Sequence, residues 1–86
     1  MESTKNVIEI IKKASNQFEY DEHYYFTGVD VADGKTNIQT TGDIWKALRF
    51  QNMSSTDAEA WCTFIKKFLG KHYQVWIKTI SLSYEL

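Results

Sequence analysis

Cys62 is the only cysteine in this sequence, and that limits the fold more than any motif does. No intrachain disulfide can form, so a secreted, disulfide-stapled scaffold is excluded and a reducing cytoplasm is the expected setting. A chain of 86 residues buries only about 60–65% of the surface its unfolded form exposes. Its stability therefore has to come from large side chains. Three tryptophans, five tyrosines and five phenylalanines are available for the purpose. Oligomerisation is the other route to buried area. The longest apolar runs are a few residues, far short of the ~20 of a membrane-spanning helix, and residues 1–6 are polar with no apolar signal region behind them. The expectation is a soluble chain, off the membrane, forming one domain over residues 1–86.

Hydrophobic spacing divides the chain into six elements. Val7, Ile8, Ile10, Ile11 and Ala14 fall on a helical period, with Ser3 or Thr4 able to cap the start and Lys12 and Lys13 suited to the negative end of the dipole. This spacing predicts a helix over 4–17. From Phe18 onward the residues turn aromatic and β-branched, and Asp33-Gly34 marks a reverse turn because both residues tolerate positive φ. A hairpin of 23–31 against 35–41 is expected, its second strand wet on one face and placed at a sheet edge. A short helix over 43–50 carries Ile44, Ala47 and Leu48, and the polar stretch 51–55 breaks it. Thr56-Asp57-Ala58-Glu59 matches a capping box, and Trp61, Phe64, Ile65, Phe68 and Leu69 form an amphipathic stripe ending at Gly70, a natural C-cap.

The tail, 72–84, is rich in β-formers. Val75 and Ile77 lie on one parity, and Trp76, Ile80, Leu82 and Tyr84 on the other. Two apolar faces suggest a central strand or a bulge near Lys78 and Thr79. The predicted order is α-β-β-α-α-β, an α+β fold with a three-stranded antiparallel sheet and helices packed on one face.

Specific chemistry is sparse. His23, Cys62 and His72 are the candidate metal ligands, and no pair has the close spacing that preorganises a zinc site, so no metal is assigned. There is no nucleophile elbow, no phosphate-binding glycine loop and no His-Glu-x-x-His pair, so neither a catalytic residue nor a cofactor is assigned and the chain is read as a non-enzyme. The net charge of −1 hides an imbalance: four lysines oppose eight acids over 1–43, and six bases oppose three acids over 44–86.

Binding is what these features favour. The run Phe18-Glu19-Tyr20-Asp21-Glu22-His23-Tyr24-Tyr25-Phe26 crowds aromatics with carboxylates, and alternation along a strand keeps part of it out of any core. Exposed tyrosines anchor interfaces, and carboxylates around them steer toward a basic partner. The expected protein-binding surface is Glu19, Tyr20, Asp21, Glu22 and Tyr25, with Asp30 and Asp33 on the adjoining hairpin. The expected role is an inhibitor or adaptor that occludes a basic surface, such as one that holds nucleic acid. Many phage-encoded inhibitors share this build, an analogy of architecture alone. Two other readings stand beside it. One is a DNA- or RNA-binding domain in which 43–69 forms a helix-turn-helix-like pair presenting Lys46, Arg49, Lys66, Lys67 and Lys71, although Asp57 and Glu59 open the second helix and oppose a nucleic-acid groove. The other is a homodimer joined through the hairpin edge or the aromatic patch.

Overall fold

A computed structural model describes residues 2–51 and 55–83. Its fold is α+β, with one antiparallel sheet and one α-helix. The strands are β1 (Glu2–Lys12), β2 (Glu22–Ala32), β3 (Lys35–Thr41), a two-residue β4 (Phe50–Gln51) and β5 (Tyr73–Ser83). Helix α1 (Ser55–Leu69) precedes β5. The spatial order is β3-β2-β1-β5, with β4 paired to the start of β1 on the side where β2 pairs to its end.

The helix expected over 4–17 is a strand. Val7, Ile8, Ile10 and Ile11 are β-branched, stiff at χ1 and suited to a pleated surface. As β1 they occupy the middle of the sheet, and all four are buried. Ile8 and Ile10 face α1 in a cluster with Phe26, Cys62, Ile65 and Val75, while Val7 points the other way, against Ala47 and Ile80. A strand covered on both faces loses its alternation, and the continuous apolar run that results imitates a helical stripe.

The hairpin is where the sequence places it, with Asp33 at φ 53° and Gly34 at φ 74° forming the turn. A bulge lies in β2 between Phe26 and Gly28, and none interrupts the pairing of β5. That pairing runs in continuous register from Glu2↔Ser83 to Lys12↔Tyr73. Strand β5 pairs with β1 alone, so it is a sheet edge instead of a central strand. Its two apolar parities arise because α1 covers Val75 and Ile77, while Ile80 packs on the opposite face. Leu82 and Tyr84 lie outside the described side chains.

The short helix over 43–50 does not form. Asp43 caps a single 3-10 turn, Ile44–Lys46, through a bond from the Trp45 N–H (3.0 Å), and Ala47 is already extended. The Leu48 N–H then donates to the Phe26 carbonyl (2.9 Å), which ties the segment to the sheet and leaves no room for a helical ladder. Ile44 and Ala47 thereby cover part of the face opposite α1. Four long strands and one α-helix thus replace the expected three strands and three helices. The Thr56 side chain of the capping box and residues 52–54 of the polar break lie outside what is described. Gly70 caps α1 as expected, at φ 83° with its N–H on the Lys66 carbonyl.

Candidate functional site

Helix α1 meets the sheet along Ala58, Cys62, Ile65 and Leu69, a line one residue wide. At 100° per residue the apolar arc from Cys62 round to Phe64 spans roughly 160°. A single helix lying over β5 and β1 cannot bury so broad an arc. Trp61, Phe64 and Phe68 are left on the flank facing the hairpin, 37%, 40% and 48% exposed. They stack in sequence on Phe26, with ring centroids 5.3, 5.8 and 6.0 Å apart. Beside them the β2–β3 half of the sheet has no helix above it. Val29 and Ile38 are only partly covered, and Val31 on the same parity is exposed. A groove of about 350 Å³ lies between Leu69 and Tyr73 on one side and Tyr24, Ile38 and Thr40 on the other.

The sequence-predicted acidic surface is divided. Glu19, Tyr20 and Asp21 occupy the loop of residues 13–21, and Glu22 opens β2. Asp30 and Asp33 stand at the far end of that strand, roughly 30 Å away at ~3.3 Å per residue. Tyr25 is half-buried on the face opposite α1. Within the loop the carboxylates serve its own structure. Asp21 accepts from the Ala14 N–H (2.8 Å) and the Lys13 ammonium (3.2 Å). Glu19 accepts from the Ser15 hydroxyl (2.9 Å) and the Asn16 amide (3.2 Å). The backbone bond to Ala14 and the Lys13 ammonium hold Asp21 below the usual carboxylate range, and the Ser15 and Asn16 bonds do the same for Glu19. The loop so pinned presents Phe18 and Tyr20, 84% and 93% exposed. Phe18 was not among the expected contact residues.

A second polar cluster lies on the face opposite α1, and no motif announced it. Glu9 is 5% exposed. It accepts from the Trp76 indole N–H (2.6 Å) and the Tyr25 hydroxyl, with His23 Nδ1 and Lys78 Nζ each 3.7 Å away. Burial alone would raise its pKa, but the Trp76 bond, the Lys78 charge, the Tyr25 bond and His23 together hold it below its ordinary value. Burial and the same carboxylate push the Tyr25 hydroxyl upward. The cluster stitches β2, β1 and β5 together on a face without a helix.

The expected basic surface is also divided. Lys66 and Lys67 lie in the last turn of α1, and Lys71 follows its cap. Lys46 and Arg49 sit on the segment that covers the other face of the sheet, where Arg49 donates to the Trp45 carbonyl (3.1 Å). With 43–50 extended, the helix-turn-helix-like pair does not form, and the five cations share no single surface. His23 beside Glu9 and Cys62 beneath α1 are likewise on opposite faces. Cys62 donates to the Val75 carbonyl (3.5 Å), and burial raises its thiol pKa. Among the described residues no helix is long and apolar enough to cross a membrane. No known protein family, curated protein or solved structure matches this chain.

Proposed function

We propose that this chain is a protein-binding domain, an inhibitor or adaptor of the reducing cytoplasm, whose contact surface is the aromatic flank of α1 together with the bare half of the sheet. The observation that carries the reading is the stacked ladder Trp61–Phe64–Phe68 standing exposed beside Val29, Val31 and Ile38. Aromatic side chains grouped in this way anchor interfaces, because they bring large area at little rotamer cost. The shape of the molecule supports it. The radius of gyration is 14.3 Å, against roughly 12 Å for a compact chain of this length. Extents of 45 × 36 × 21 Å describe a slab whose second helical layer is half missing, and a partner's apolar segment would complete it.

The loop of residues 13–21 supports a variant of the same function. Pinned by its own carboxylates, it offers Phe18 and Tyr20 as two further anchors, and Glu22 adds charge attractive to a basic partner. It rises from Lys12, which lines the same groove as Leu69, so the two surfaces lie at one end of the sheet.

Two variants separate these surfaces: Phe64→Gln with Phe68→Gln, and Phe18→Ser with Tyr20→Ser. Each is immobilised beside the parent protein and exposed to lysate of the source organism. A stoichiometric protein partner lost from the helix variant alone, at unchanged melting temperature, supports the flank. Loss from the loop variant alone moves the site to the loop. Retention of the same partner by both removes these surfaces from the function.

A further inference from the structure

The other flank of α1 is built differently. It presents Glu59, Thr63, Lys66 and Gly70 toward β5 instead of aromatic rings, and between it and the strand runs a continuous channel. Two adjoining grooves, of about 650 and 390 Å³, share Lys66, Val75 and Trp76 as lining residues. Lys67, Lys71 and Tyr73 complete the larger one, which contains no acidic side chain. Among the described residues none of the three lysines is held in an ion pair.

The floor of this channel is the open edge of the sheet. The Lys13 N–H donates to the His72 carbonyl (3.1 Å), which sets the phase of the antiparallel ladder between β1 and β5. Hydrogen-bonded pairs alternate with non-bonded ones, so Tyr73, Val75, Ile77 and Thr79 direct their N–H and C=O groups away from β1. Two printed geometries agree with that phase: the Val75 carbonyl takes the Cys62 thiol, and the Tyr73 N–H turns back to the Gly70 carbonyl (3.4 Å). The Val75 N–H and both backbone groups of Ile77 and Thr79 remain as an unpaired edge beside the helix. Natural edges of this length are usually blunted by proline, a bulge or cover. This one has none of the three between Tyr73 and Ser81, and only Lys78 as a charge.

We infer that the β5 edge and the lysine flank of α1 form a binding site for an extended acidic segment of a partner protein, which adds to the sheet as a further strand. Backbone pairing with Val75, Ile77 and Thr79 supplies affinity without regard to sequence. Lys66, Lys67 and Lys71 supply the preference for acidic side chains at the Tyr73 end, and Glu59 disfavours them at the other. The site is separate from the aromatic flank and stands or falls independently of it.

The probe is a fluorescein-labelled peptide of alternating glutamate and threonine, followed by anisotropy at low and physiological salt while backbone amide shifts are mapped. Saturable binding that weakens with salt, with shifts centred on Val75, Ile77 and Thr79, is the expected result. Combined Lys66→Glu, Lys67→Glu and Lys71→Glu substitution, all at exposed positions, weakens binding roughly tenfold or more. A peptide of identical charge but N-methylated at alternate residues, and so deprived of the pairing donors, does not bind. The Phe64→Gln, Phe68→Gln variant binds the probe as the parent does, which separates this site from the proposed contact surface. Equal binding of the methylated peptide, or shifts gathered on Val31 and Ile38 instead, overturns the inference, as does an absence of binding at millimolar peptide. Tighter binding of a single-stranded oligonucleotide would reassign the lysines to nucleic acid. Dilution-dependent shifts at the β5 edge, with a dimer in sedimentation, would give the edge to a second copy.

Discussion

Glu9 shows how one residue can carry a face of the sheet. Its carboxylate is nearly inaccessible, yet it stays ionised because an indole, a phenol, an imidazole and an ammonium all point to it. Replacing it by Gln retains the shape and removes the charge, which costs about 1–2 kcal/mol at neutral pH in urea unfolding. The direction of the pH effect follows from its lowered pKa. A carboxylate held below its ordinary 4.5 contributes stability that is fully present above that value and is lost as the pH falls through the folded-state pKa. Stability of the parent therefore declines below about pH 4.5, and in Glu9→Gln the decline is shallower. Glu19 and Asp21, shifted the same way in the loop, account for the slope that remains. An unchanged slope in the variant would show that Glu9 plays no part in it.

Among the elements, α1 illustrates the difference between what is apolar and what is buried. Ile65 lies at the centre of the core, whereas Phe64, its neighbour, stands in solvent. Ile65→Ala should cost about 2–5 kcal/mol. Phe64→Gln with Phe68→Gln should cost under about 1 kcal/mol, since only ring–ring contacts are lost. Chemical denaturation of both variants checks the contrast, and comparable losses would place the ladder in the core. The sequence announces α1 clearly, through its stripe and Gly70, and it announces the hairpin through Asp33-Gly34. It does not say which part of the stripe faces outward, because that depends on how many strands lie beneath the helix. Strand β1 was illegible for a related reason: buried on both faces, Val7 to Ile11 lose the alternation that identifies a strand. The segment 43–50 depended on one tertiary bond, from Leu48 to Phe26, that no local pattern encodes. The Glu9 cluster joins residues from three strands far apart in the chain, so it left no spacing to find. The acidic loop was legible as a stretch of residues, and the bonds that engage its carboxylates were not.

At the scale of the whole molecule, the unequal cover of the sheet organises everything else. One helix over a four-strand sheet leaves an aromatic flank toward β2–β3, an open edge along β5, and a bare polar face tied by Glu9. The first strand holds the middle of this arrangement, and the last one described lies against it from Glu2↔Ser83 to Lys12↔Tyr73. The chain is therefore close to a closed ring: its beginning and end are neighbours, joined by backbone pairing instead of a peptide bond. A protein of this kind can be cut elsewhere and sewn shut at the seam. A circular permutant linking the two ends by a short glycine-serine tether and opening at Asp33-Gly34 should fold to the same far-ultraviolet spectrum. It should also fold faster, since the β1–β5 closure becomes local. During synthesis the natural order has the opposite effect, for β1 leaves the ribosome early and keeps one side unmatched until nearly the whole chain has followed.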